Sequence, residues 1–399
     1  MGYTIGEKII RSHSNEKYFE KGDIVIVDVD FIMASDTTAP IAIKSFEQMN
    51  GNKIFDPQKM AIIIDHASPC PNSKIANLHK LIRNFAKKEK IFLYDVGEGI
   101  CHQLMYEKGH ASEGKLIVGA DSHTCTYGAL GAFATGVGST DLAAIMLTGK
   151  TWMMVPASIR INITGNLREG VFAKDFVLFL TGLIGANGAN YKLLEFGLDN
   201  ITNLSIDEKL TISNMSIEMG AKAGIFESEN MKADEEADYE SIINIDLSRI
   251  EPMIAAPHQV DNVFPVSKYK GMKIDQVFIG SCTNGRFSDF EEVAKILKGN
   301  KISPDIRLIA APASKATLNK LSESGILKIL LDAGATIITP GCGPCVGTLG
   351  GIPADGEKVL STTNRNFLGR MGNKKSEIYL CSPAIAAKSA LMGEIADLE

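Results

Sequence analysis

Residues 276–286 read Gln-Val-Phe-Ile-Gly-Ser-Cys-Thr-Asn-Gly-Arg, a short apolar run that opens into a glycine-rich turn holding Cys282. A second stretch repeats this plan: residues 335–339 read Ala-Thr-Ile-Ile-Thr, and residues 340–345 follow as Pro-Gly-Cys-Gly-Pro-Cys. Apolar runs of this length, bounded by glycine, predict buried strands. Glycine also lets the backbone approach closely and adopt positive φ angles. The two strand ends can therefore bring three thiols to one point.

Three thiols at one point leave more than one kind of site open. Cys282, Cys342 and Cys345 suggest a cubane iron–sulfur cluster with one open iron, since a closed cluster or a structural zinc usually takes four protein ligands. A three-cysteine zinc site is an alternative. Cys-Gly-Pro-Cys is also the motif of thioredoxin-like redox sites, where the first cysteine begins a helix. Residues 346–351, Val-Gly-Thr-Leu-Gly-Gly, are a poor helix start, which favours the metal site over the redox site.

The rest of the chain alternates strand patterns with helix patterns. Continuous apolar runs predict strands at residues 24–30, 61–64, 91–94 and 116–120. Residues 74–88, in contrast, carry apolar side chains at helical spacing. This alternation predicts an α/β fold with mostly parallel sheets.

Breaks in the pattern divide the chain into three predicted domains. Pro156 separates one set of strands from the next, and residues 257–273 read as a connection. We therefore expect α/β domains at residues 1–155, 156–272 and 273–399. The first would carry the histidine and aspartate motifs described below, and the third would carry the cysteines.

Composition excludes several classes of partner. The chain has 399 residues, of which 45% are hydrophobic and 22% charged, as expected for a globular protein with two or three cores. Its net charge of −6 predicts no broad basic surface and hence no nucleic-acid partner. The N-terminus lacks a signal-peptide pattern and no apolar run reaches 18 residues, so no membrane association is expected. The scattered single cysteines fit a reducing compartment and predict a cytoplasmic location.

Three predicted strands in the first third of the chain each end in a polar cluster that contains histidine. Asp65 and His66 follow one strand, His102 lies soon after the next, and Asp121 and His123 follow another. Each histidine taken alone is readily explained as a structural residue. Ligands of open α/β sheets bind at the carboxyl ends of strands. The joint placement of the three clusters therefore predicts acid–base chemistry at that edge.

Two arginines and a glutamate complete the set of candidate residues. Arg365 and Arg370 lie five positions apart in a loop rich in glycine and asparagine. The guanidinium group binds carboxylates in a two-pronged manner, although a pair of surface arginines would look the same in sequence. Glu195 follows an apolar run and is a weaker candidate by itself.

Four motifs taken together resemble the aconitase superfamily. They are residues 119–124 (Gly-Ala-Asp-Ser-His-Thr), 280–286, 341–345 and 364–370 (Asn-Arg-Asn-Phe-Leu-Gly-Arg). The likeness is closest to the large subunits of 3-isopropylmalate dehydratase and of the related homoaconitases, and it spans essentially the whole chain. It implies three α/β/α domains with mostly parallel sheets around a shared Fe–S site. It also implies that the fourth, swivelling domain of the superfamily is absent from this chain.

The resemblance further implies a cofactor, a partner and a substrate class. One [4Fe–4S] cluster per chain would be bound by Cys282, Cys342 and Cys345, with the fourth iron open to act as a Lewis acid. A separate small subunit would supply the missing domain and its catalytic serine. The substrate would be a dicarboxylic hydroxy acid, with 2- and 3-isopropylmalate of leucine biosynthesis as the foremost pair.

Individual roles also follow from matching the motifs. His66, held by Asp65, matches the residue that protonates the departing hydroxyl group. Other positions that match catalytic residues of the family are His102, Asp121, His123 and Glu195. Positions that match substrate contacts are Ser35, Ser122, Asn364, Arg365 and Arg370.

One departure from the family pattern concerns the substrate. Archaeal-type relatives usually have histidine where this chain has Ser35, so homocitrate, citramalate and 2,3-dimethylmalate stay open as alternatives to isopropylmalate. Two other classes of function are a thiol–disulfide oxidoreductase using Cys342 and Cys345, and an RNA-binding regulator. The net charge of −6 and the missing fourth domain argue against the regulator.

Overall fold

The computed structural model describes residues 2–16, 18–198 and 204–398. Within these ranges the chain forms eighteen strands and thirteen α-helices. The strands are β1 (Ile24–Asp28), β2 (Phe31–Ser35), β3 (Met60–Ile63), β4 (Phe92–Tyr94), β5 (Leu116–Gly119), β6 (Phe133–Gly136), β7 (Lys150–Met154), β8 (Ser158–Thr164), β9 (Leu193–Leu198), β10 (Ala223–Phe226), β11 (Ser241–Asp246), β12 (Met253–Ala255), β13 (Val263–Pro265), β14 (Gln276–Ile279), β15 (Arg307–Ala310), β16 (Thr336–Ile337), β17 (Lys358–Ser361) and β18 (Glu377–Leu380). The helices are α1 (Ile5–His13), α2 (Ala39–Gln48), α3 (Ser73–Glu89), α4 (Cys101–Glu107), α5 (Ser139–Thr148), α6 (Ala173–Ile184), α7 (Ile206–Asn214), α8 (Ser281–Asn284), α9 (Phe287–Leu297), α10 (Lys315–Glu323), α11 (Ile326–Ala333), α12 (Gly343–Val346) and α13 (Pro383–Met392).

The first sheet holds five parallel strands in the order β4-β3-β2-β5-β6. Its central strand, β2, is wholly buried. The strand predicted at residues 24–30 is present as β1, but it pairs antiparallel with β7 in a separate two-stranded ribbon. Alternate side chains of β1 face solvent, with Ile24 65% and Ile26 49% exposed. A strand with one wet face cannot occupy the centre of a parallel sheet covered on both sides.

The second and third sheets follow in chain order. Four parallel strands form the second sheet in the order β10-β9-β8-β11, and seven form the third in the order β13-β12-β18-β17-β14-β15-β16. Strand β14, which leads into Cys282, lies inside the third sheet with parallel neighbours on both sides. Strands β12 and β13 also belong to the third sheet. The chain therefore passes from the second sheet to the third between Asp246 and Met253. The domain boundaries at 155 and 272 stay a prediction.

Amphipathic helices cover the sheets, and α3 shows how the sequence specifies them. The side chain of Asn72 accepts a hydrogen bond from the N–H group of Ile75 at the start of α3, and Lys90 ends the helix in a left-handed conformation. Ile82 and Phe85 on its buried face join the same core as β2 and β3. Burial of each such side chain contributes about 1.5–3 kcal/mol. Among the helices that the structure describes, none is long and apolar enough to cross a membrane.

The carboxyl ends of the first and third sheets meet. The N–H group of Cys342, just beyond β16, donates to the carbonyl of Asp65, just beyond β3, at 2.8 Å. The N–H group of Ile100 donates to the carbonyl of Ala313, also at 2.8 Å, and joins the loops after β4 and β15. This is the edge at which α/β sheets bind their ligands.

Candidate active site

A cavity of about 140 Å³ lies where the two sheets meet. Most of the residues that the sequence predicts for the site line it. These are His66, His102, Asp121, Ser122, His123, Cys282, Cys342, Cys345, Asn364, Arg365 and Arg370. The structure therefore brings together side chains that lie up to about 300 positions apart in the sequence. The predicted residues that do not line the cavity are Ser35, Asp65 and Glu195.

Cys282 is held in a strained turn directly after β14. Ser281 has a φ angle of 81°, a left-handed conformation that costs a residue other than glycine about 1–3 kcal/mol. The Ser281 hydroxyl oxygen accepts a hydrogen bond from the N–H group of Thr283 at 3.0 Å. The Arg286 guanidinium donates to the carbonyl of Cys282 at 2.6 Å. These bonds offset the strain and fix the direction of the thiol.

Cys342 is the N-cap of a single helical turn, and Cys345 lies within that turn. Helix α12 has only four residues, and Gly347 ends it with a φ angle of 72°. Both cysteines are buried, and every cysteine that the structure describes is a free thiol. A thioredoxin-like site relies on a longer helix whose dipole stabilises a thiolate at the first cysteine. The single turn of α12 is too short to provide such a helix dipole.

Amide and guanidinium N–H groups point at the sulfur atoms. Nδ2 of Asn214 lies 3.1 Å from Sγ of Cys282, and Nδ2 of Asn364 lies 3.4 Å from the same atom. Nη2 of Arg370 lies 3.1 Å from Sγ of Cys345. Such donors favour the charged form of sulfur. No sequence motif marks Asn214, which sits at the end of α7 and reaches the site only through the fold.

The three thiols differ in acidity. The hydrogen bond from Cys342, with the charge of Arg370, holds the pKa of Cys345 well below its ordinary value. The same hydrogen bond, together with burial, raises the pKa of Cys342. Burial raises the pKa of Cys282 to about 12.

His66 has a carboxylate on either side of its ring. Nδ1 of His66 forms a hydrogen bond of 2.8 Å with Oδ1 of Asp65, and Nε2 lies 3.4 Å from Oδ2 of Asp121. Burial by itself lowers the pKa of His66, but the charges and hydrogen bonds of the two carboxylates outweigh it. The pKa of His66 therefore stands well above its ordinary value. At neutral pH the ring holds a proton that it can donate.

Asp121 is the shared partner of three histidines. Its Oδ1 forms a hydrogen bond of 2.9 Å with Nε2 of His102 and accepts the backbone N–H of His123 at 2.8 Å. Nδ1 of His102 in turn forms a 3.0 Å bond with the hydroxyl group of Tyr127. Burial alone would raise the pKa of Asp121, but His102, His123 and His66 hold it well below its ordinary value. Asp121 is thus ionised at the centre of the cluster.

Glu218 takes the acidic position that the sequence assigns to Glu195. Its Oε1 accepts a hydrogen bond from Nε of Arg365 at 2.7 Å and forms another of 2.8 Å with Nε2 of His123. The side chain is buried. Glu218 lies on the 3₁₀ helix Met215–Met219, and no strand end or motif draws attention to it in the sequence.

Glu195, predicted to be catalytic, does not line the cavity. Its carboxylate accepts hydrogen bonds from the N–H groups of Ile5 and Gly6 at 3.0 and 2.9 Å. The hydroxyl groups of Ser158 and Tyr239 donate to it at 3.1 and 2.9 Å. The first N–H groups of a helix lack partners within the helix and attract negative charge. Glu195 therefore stabilises the beginning of α1.

Ser35 and Asp65 also stay behind the cavity wall. The Ser35 hydroxyl is buried and pairs with the hydroxyl groups of Thr37 at 2.9 Å and Thr38 at 3.2 Å. Ser35 does not line the cavity, and its contact with substrate stays a prediction. Asp65 supports the site indirectly, since its Oδ2 also accepts the backbone N–H of Cys101 at 2.7 Å.

Nearly the whole chain matches the sequence model of one protein family. That model is described as the aconitase family (aconitate hydratase), and it matches residues 7–231 and 227–393. The chain belongs to the aconitase family. The family drawn from the four sequence motifs is therefore confirmed.

Curated relatives of this aconitase-family chain are named as large subunits. The 3-isopropylmalate dehydratase large subunit 1 of Methanopyrus kandleri is 46% identical over 414 residues, with 100% of this chain and 99% of the relative covered. The 3-isopropylmalate dehydratase large subunit of Elusimicrobium minutum is 47% identical over 414 residues, with the same coverage. Large subunit 1 of the Pyrococcus furiosus enzyme of that name is 47% identical over 418 residues, again covering 100% and 99%.

A solved structure shares the fold of the aconitase-family chain. The crystal structure of Thermococcus kodakaraensis aconitase X (holo-form) matches it with a TM-score of 0.58 over 92% of this chain and 90% of that one. The two sequences are 13% identical, so the likeness concerns the fold alone. The predicted α/β fold with mostly parallel sheets is confirmed.

The cysteine site suits the iron–sulfur cluster that the aconitase family implies. Four buried thiols line one cavity, three of them in the predicted cluster motifs, and N–H donors reach the sulfur atoms of Cys282 and Cys345. Thiolate ligands and hydrogen bonds to sulfur are what Fe–S clusters require of a protein. The donor set in this cavity therefore fits such a group.

Proposed function

We propose that this chain is the cluster-bearing large subunit of a hydro-lyase that interconverts 2-isopropylmalate and 3-isopropylmalate in leucine biosynthesis. Relatives named for this reaction match it over the full chain at about 46% identity. The observation that carries the proposal is the cavity where the three motif cysteines, three histidines, Asp121 and two arginines meet. Eliminating water from a dicarboxylic hydroxy acid calls for a Lewis acid, a proton donor and cationic clamps.

Three cysteines would hold the cofactor. Cys282, Cys342 and Cys345 are the ligands we assign to a [4Fe–4S] cluster. When bound, such a cluster with an open iron supplies Lewis acidity toward a hydroxyl group and a carboxylate. Cys101 also lines the cavity, but burial and the charge of Asp65 raise the pKa of its thiol well above the ordinary value. The motifs that resemble the family's cluster ligands contain only Cys282, Cys342 and Cys345, so we leave Cys101 out of the ligand set.

His66 is the proton donor in this proposal. Its raised pKa keeps a proton on Nε2, the ring atom that faces Asp121, while Nδ1 is held by Asp65. In dehydration the proton goes to the hydroxyl group, which departs as water when the C–O bond breaks. The C–H bond on the neighbouring carbon gives its electron pair to the new double bond, and its proton goes to a base. Hydration reverses these transfers.

We assign that base to a serine of a separate small subunit. Ser122 is the serine that lines the cavity of this chain, but it stands between Asp121 and His123 and serves better as a hydrogen-bonding neighbour. The name large subunit, carried by the relatives, implies a smaller partner for those proteins. One domain-sized chain would close the open side of the cavity and exclude water.

The arginines would hold the substrate carboxylates. Arg365 and Arg370 line the cavity, and the guanidinium fork matches the geometry of a carboxylate. Arg365 pairs with Glu218 through Nε, which leaves its two terminal nitrogen atoms for a substrate. A doubly charged substrate would therefore find the positive charge of two arginines in the same cavity that His66 and Asp121 line.

A titration with the cognate small subunit tests the proposal. The iron-loaded chain is mixed with increasing small subunit, and the alkene absorbance is followed with isopropylmalate, homocitrate, citramalate and 2,3-dimethylmalate. We expect turnover of isopropylmalate that saturates near one small subunit per chain, and no turnover by the chain alone. Full turnover without the small subunit would refute the divided site. Preference for another of the four acids would reassign the substrate.

A further inference from the structure

Asp36 receives hydrogen bonds from three consecutive backbone N–H groups behind the proton donor. Its Oδ1 lies 3.2 Å from the nitrogen of Asp65 and 2.8 Å from that of His66, and Oδ2 lies 2.9 Å from the nitrogen of Ala67. His79 on α3 adds a fourth contact, with Nε2 at 3.1 Å from Oδ2. Because all four contacts fall on one carboxylate, the position of that carboxylate sets the position of the whole backbone turn.

Burial makes this arrangement rigid. Asp36 is 4% exposed and His79 is 1% exposed, so water does not compete for these contacts. A buried carboxylate needs N–H partners, and hydrogen bonds to a charged group are roughly twice as strong as neutral ones. Asp36 lies three residues before α2, but the N-cap of that helix is Thr38, which makes no side-chain cap bond. The Asp36 carboxylate serves the neighbouring loop instead.

We propose that Asp36, with His79 behind it, is the positioning residue for His66. Asp36 does not line the cavity, so it acts through the backbone from which the His66 ring and the Asp65 carboxylate project. Misplacing a reacting group by about 1 Å can cost a factor of about 10² in rate. This role rests on the proposed function, because it takes His66 to be the group that protonates the departing hydroxyl.

The chain offers a matched control at the other end of β2. Asp30 comes directly before β2, and Asp36 comes directly after it. Oδ2 of Asp30 accepts the backbone N–H of Leu116 at 2.9 Å and pairs with Nε2 of His13 at 2.7 Å. Both aspartates thus bind a backbone N–H group and an imidazole, but Asp30 does so at the edge of the sheet opposite the cavity.

The test compares Asp36→Asn with Asp30→Asn in the iron-loaded enzyme complexed with its small subunit. Asparagine keeps the size of Asp36 but turns one acceptor oxygen into a donor that cannot pair with N–H groups. We expect kcat to fall roughly 10- to 100-fold, the usual effect of losing a group that orients a catalytic residue. KM and iron content should stay at wild-type values. Amide hydrogen exchange should become faster in a peptide covering residues 60–69, whereas Asp30→Asn should leave kcat and that peptide unchanged.

A second, milder variant keeps the proposal testable if Asp36→Asn fails to fold. His79→Leu removes one contact and leaves the three backbone bonds, so a smaller fall in kcat with faster exchange at residues 60–69 is expected. Unchanged exchange in both variants, or faster exchange with an unchanged kcat, overturns the role of Asp36. Faster exchange throughout the chain marks a general loss of stability and also counts against it. If the wild-type complex itself does not turn over isopropylmalate, the proposed function fails, and the exchange of residues 60–69 still decides whether Asp36 holds the loop.

Discussion

The charge on His66 follows from the two carboxylates beside its ring. Asp65 lies 2.8 Å from Nδ1 and Asp121 lies 3.4 Å from Nε2. Because they raise the pKa of His66 well above 6.5, the ring stays protonated through neutral pH and loses its proton only as the pH rises through the raised pKa. Dehydration that uses this proton should therefore decline on the alkaline side.

Replacing His66 with glutamine tests this directly. Glutamine cannot donate a proton to a departing hydroxyl, so we expect kcat to fall by roughly 10²–10⁴ and the alkaline decline to disappear. Steady-state kinetics of the two-subunit enzyme across pH measures both effects. The cluster absorbance should be unchanged, which serves as the control. Activity near that of the wild type would make His66 a structural residue.

Two glutamates separate a site residue from a structural one. Glu218→Gln removes the charge that pairs with Arg365 and His123, and we expect kcat/KM to fall at least about tenfold, as for other hydrogen bonds to charged groups. Glu195→Gln weakens the capped end of α1 and should lower the thermal midpoint by about 1–4 °C with kinetics unchanged. The opposite pattern would restore Glu195 as the catalytic acid of the pair.

The exchange of Glu195 for Glu218 shows what residue patterns leave undetermined. The motifs around His66, His123 and Cys282 are local, so the chemistry of each can be anticipated from a few neighbouring letters. Glu218 gains its role only because a 3₁₀ helix from the middle of the chain packs beside His123 and Arg365. Glu218 lies about 100 positions from His123 and about 150 positions from Arg365. Contacts over such distances leave no local pattern in a single sequence.

Strand ends are the elements that build the site. Strand β14 was predicted at residues 276–279 with the bounds that the structure shows, because its apolar side chains are buried on both faces. The central strand β2 escaped prediction, since Asp28 and Asp30 stand before it and the exposed ribbon strand β1 has the more regular pattern. Burial of both faces is therefore not enough to reveal a strand in the sequence, since β2 is as fully buried as β14.

Truncating the core beneath Cys282 tests the part played by β14. Phe278 is fully buried in this strand, and Phe278→Ala should lower the free energy of unfolding by about 3–5 kcal/mol. Denaturation followed by circular dichroism measures the loss. Leu331→Ala, at a side chain 53% exposed, is the control and should stay within about 0.5 kcal/mol of the wild type. Equal effects of the two substitutions would mean that β14 is not part of the stabilising core.

At the scale of the whole molecule, the site exists only when distant segments have assembled. The sulfur atom of Cys282, for example, accepts hydrogen bonds from the side-chain N–H groups of Asn214 on α7 and Asn364 beyond β17. Arg286 likewise donates to Gln103 on α4 at 3.1 Å and to the Thr211 hydroxyl on α7 at 3.2 Å. The cofactor pocket is therefore a property of the folded chain and not of one domain.

Metal analysis of the whole chain follows from this assembly. Anaerobically purified protein should be brown and contain about four irons, as three thiolates around one cavity suggest. Cys282→Ser should abolish the colour, and Cys381→Ser, at a buried cysteine away from the cavity, is the matched control that should keep it. One zinc ion per chain and no iron would contradict the assignment of an iron–sulfur cluster.

The backbone contact between the loops after β3 and β16 bears on how such chains can evolve. The N–H group of Cys342 donates to the carbonyl of Asp65, and the hydroxyl of Thr348 donates to the carbonyl of His66. A hydrogen bond between main-chain atoms does not depend on the side chains of the residues that form it. Most side-chain substitutions in the two loops should therefore leave the contact between them intact. Gene recombination is more demanding. A hybrid that takes its first third from one homologue and its last third from another keeps this contact only where both parents have loops of the same length.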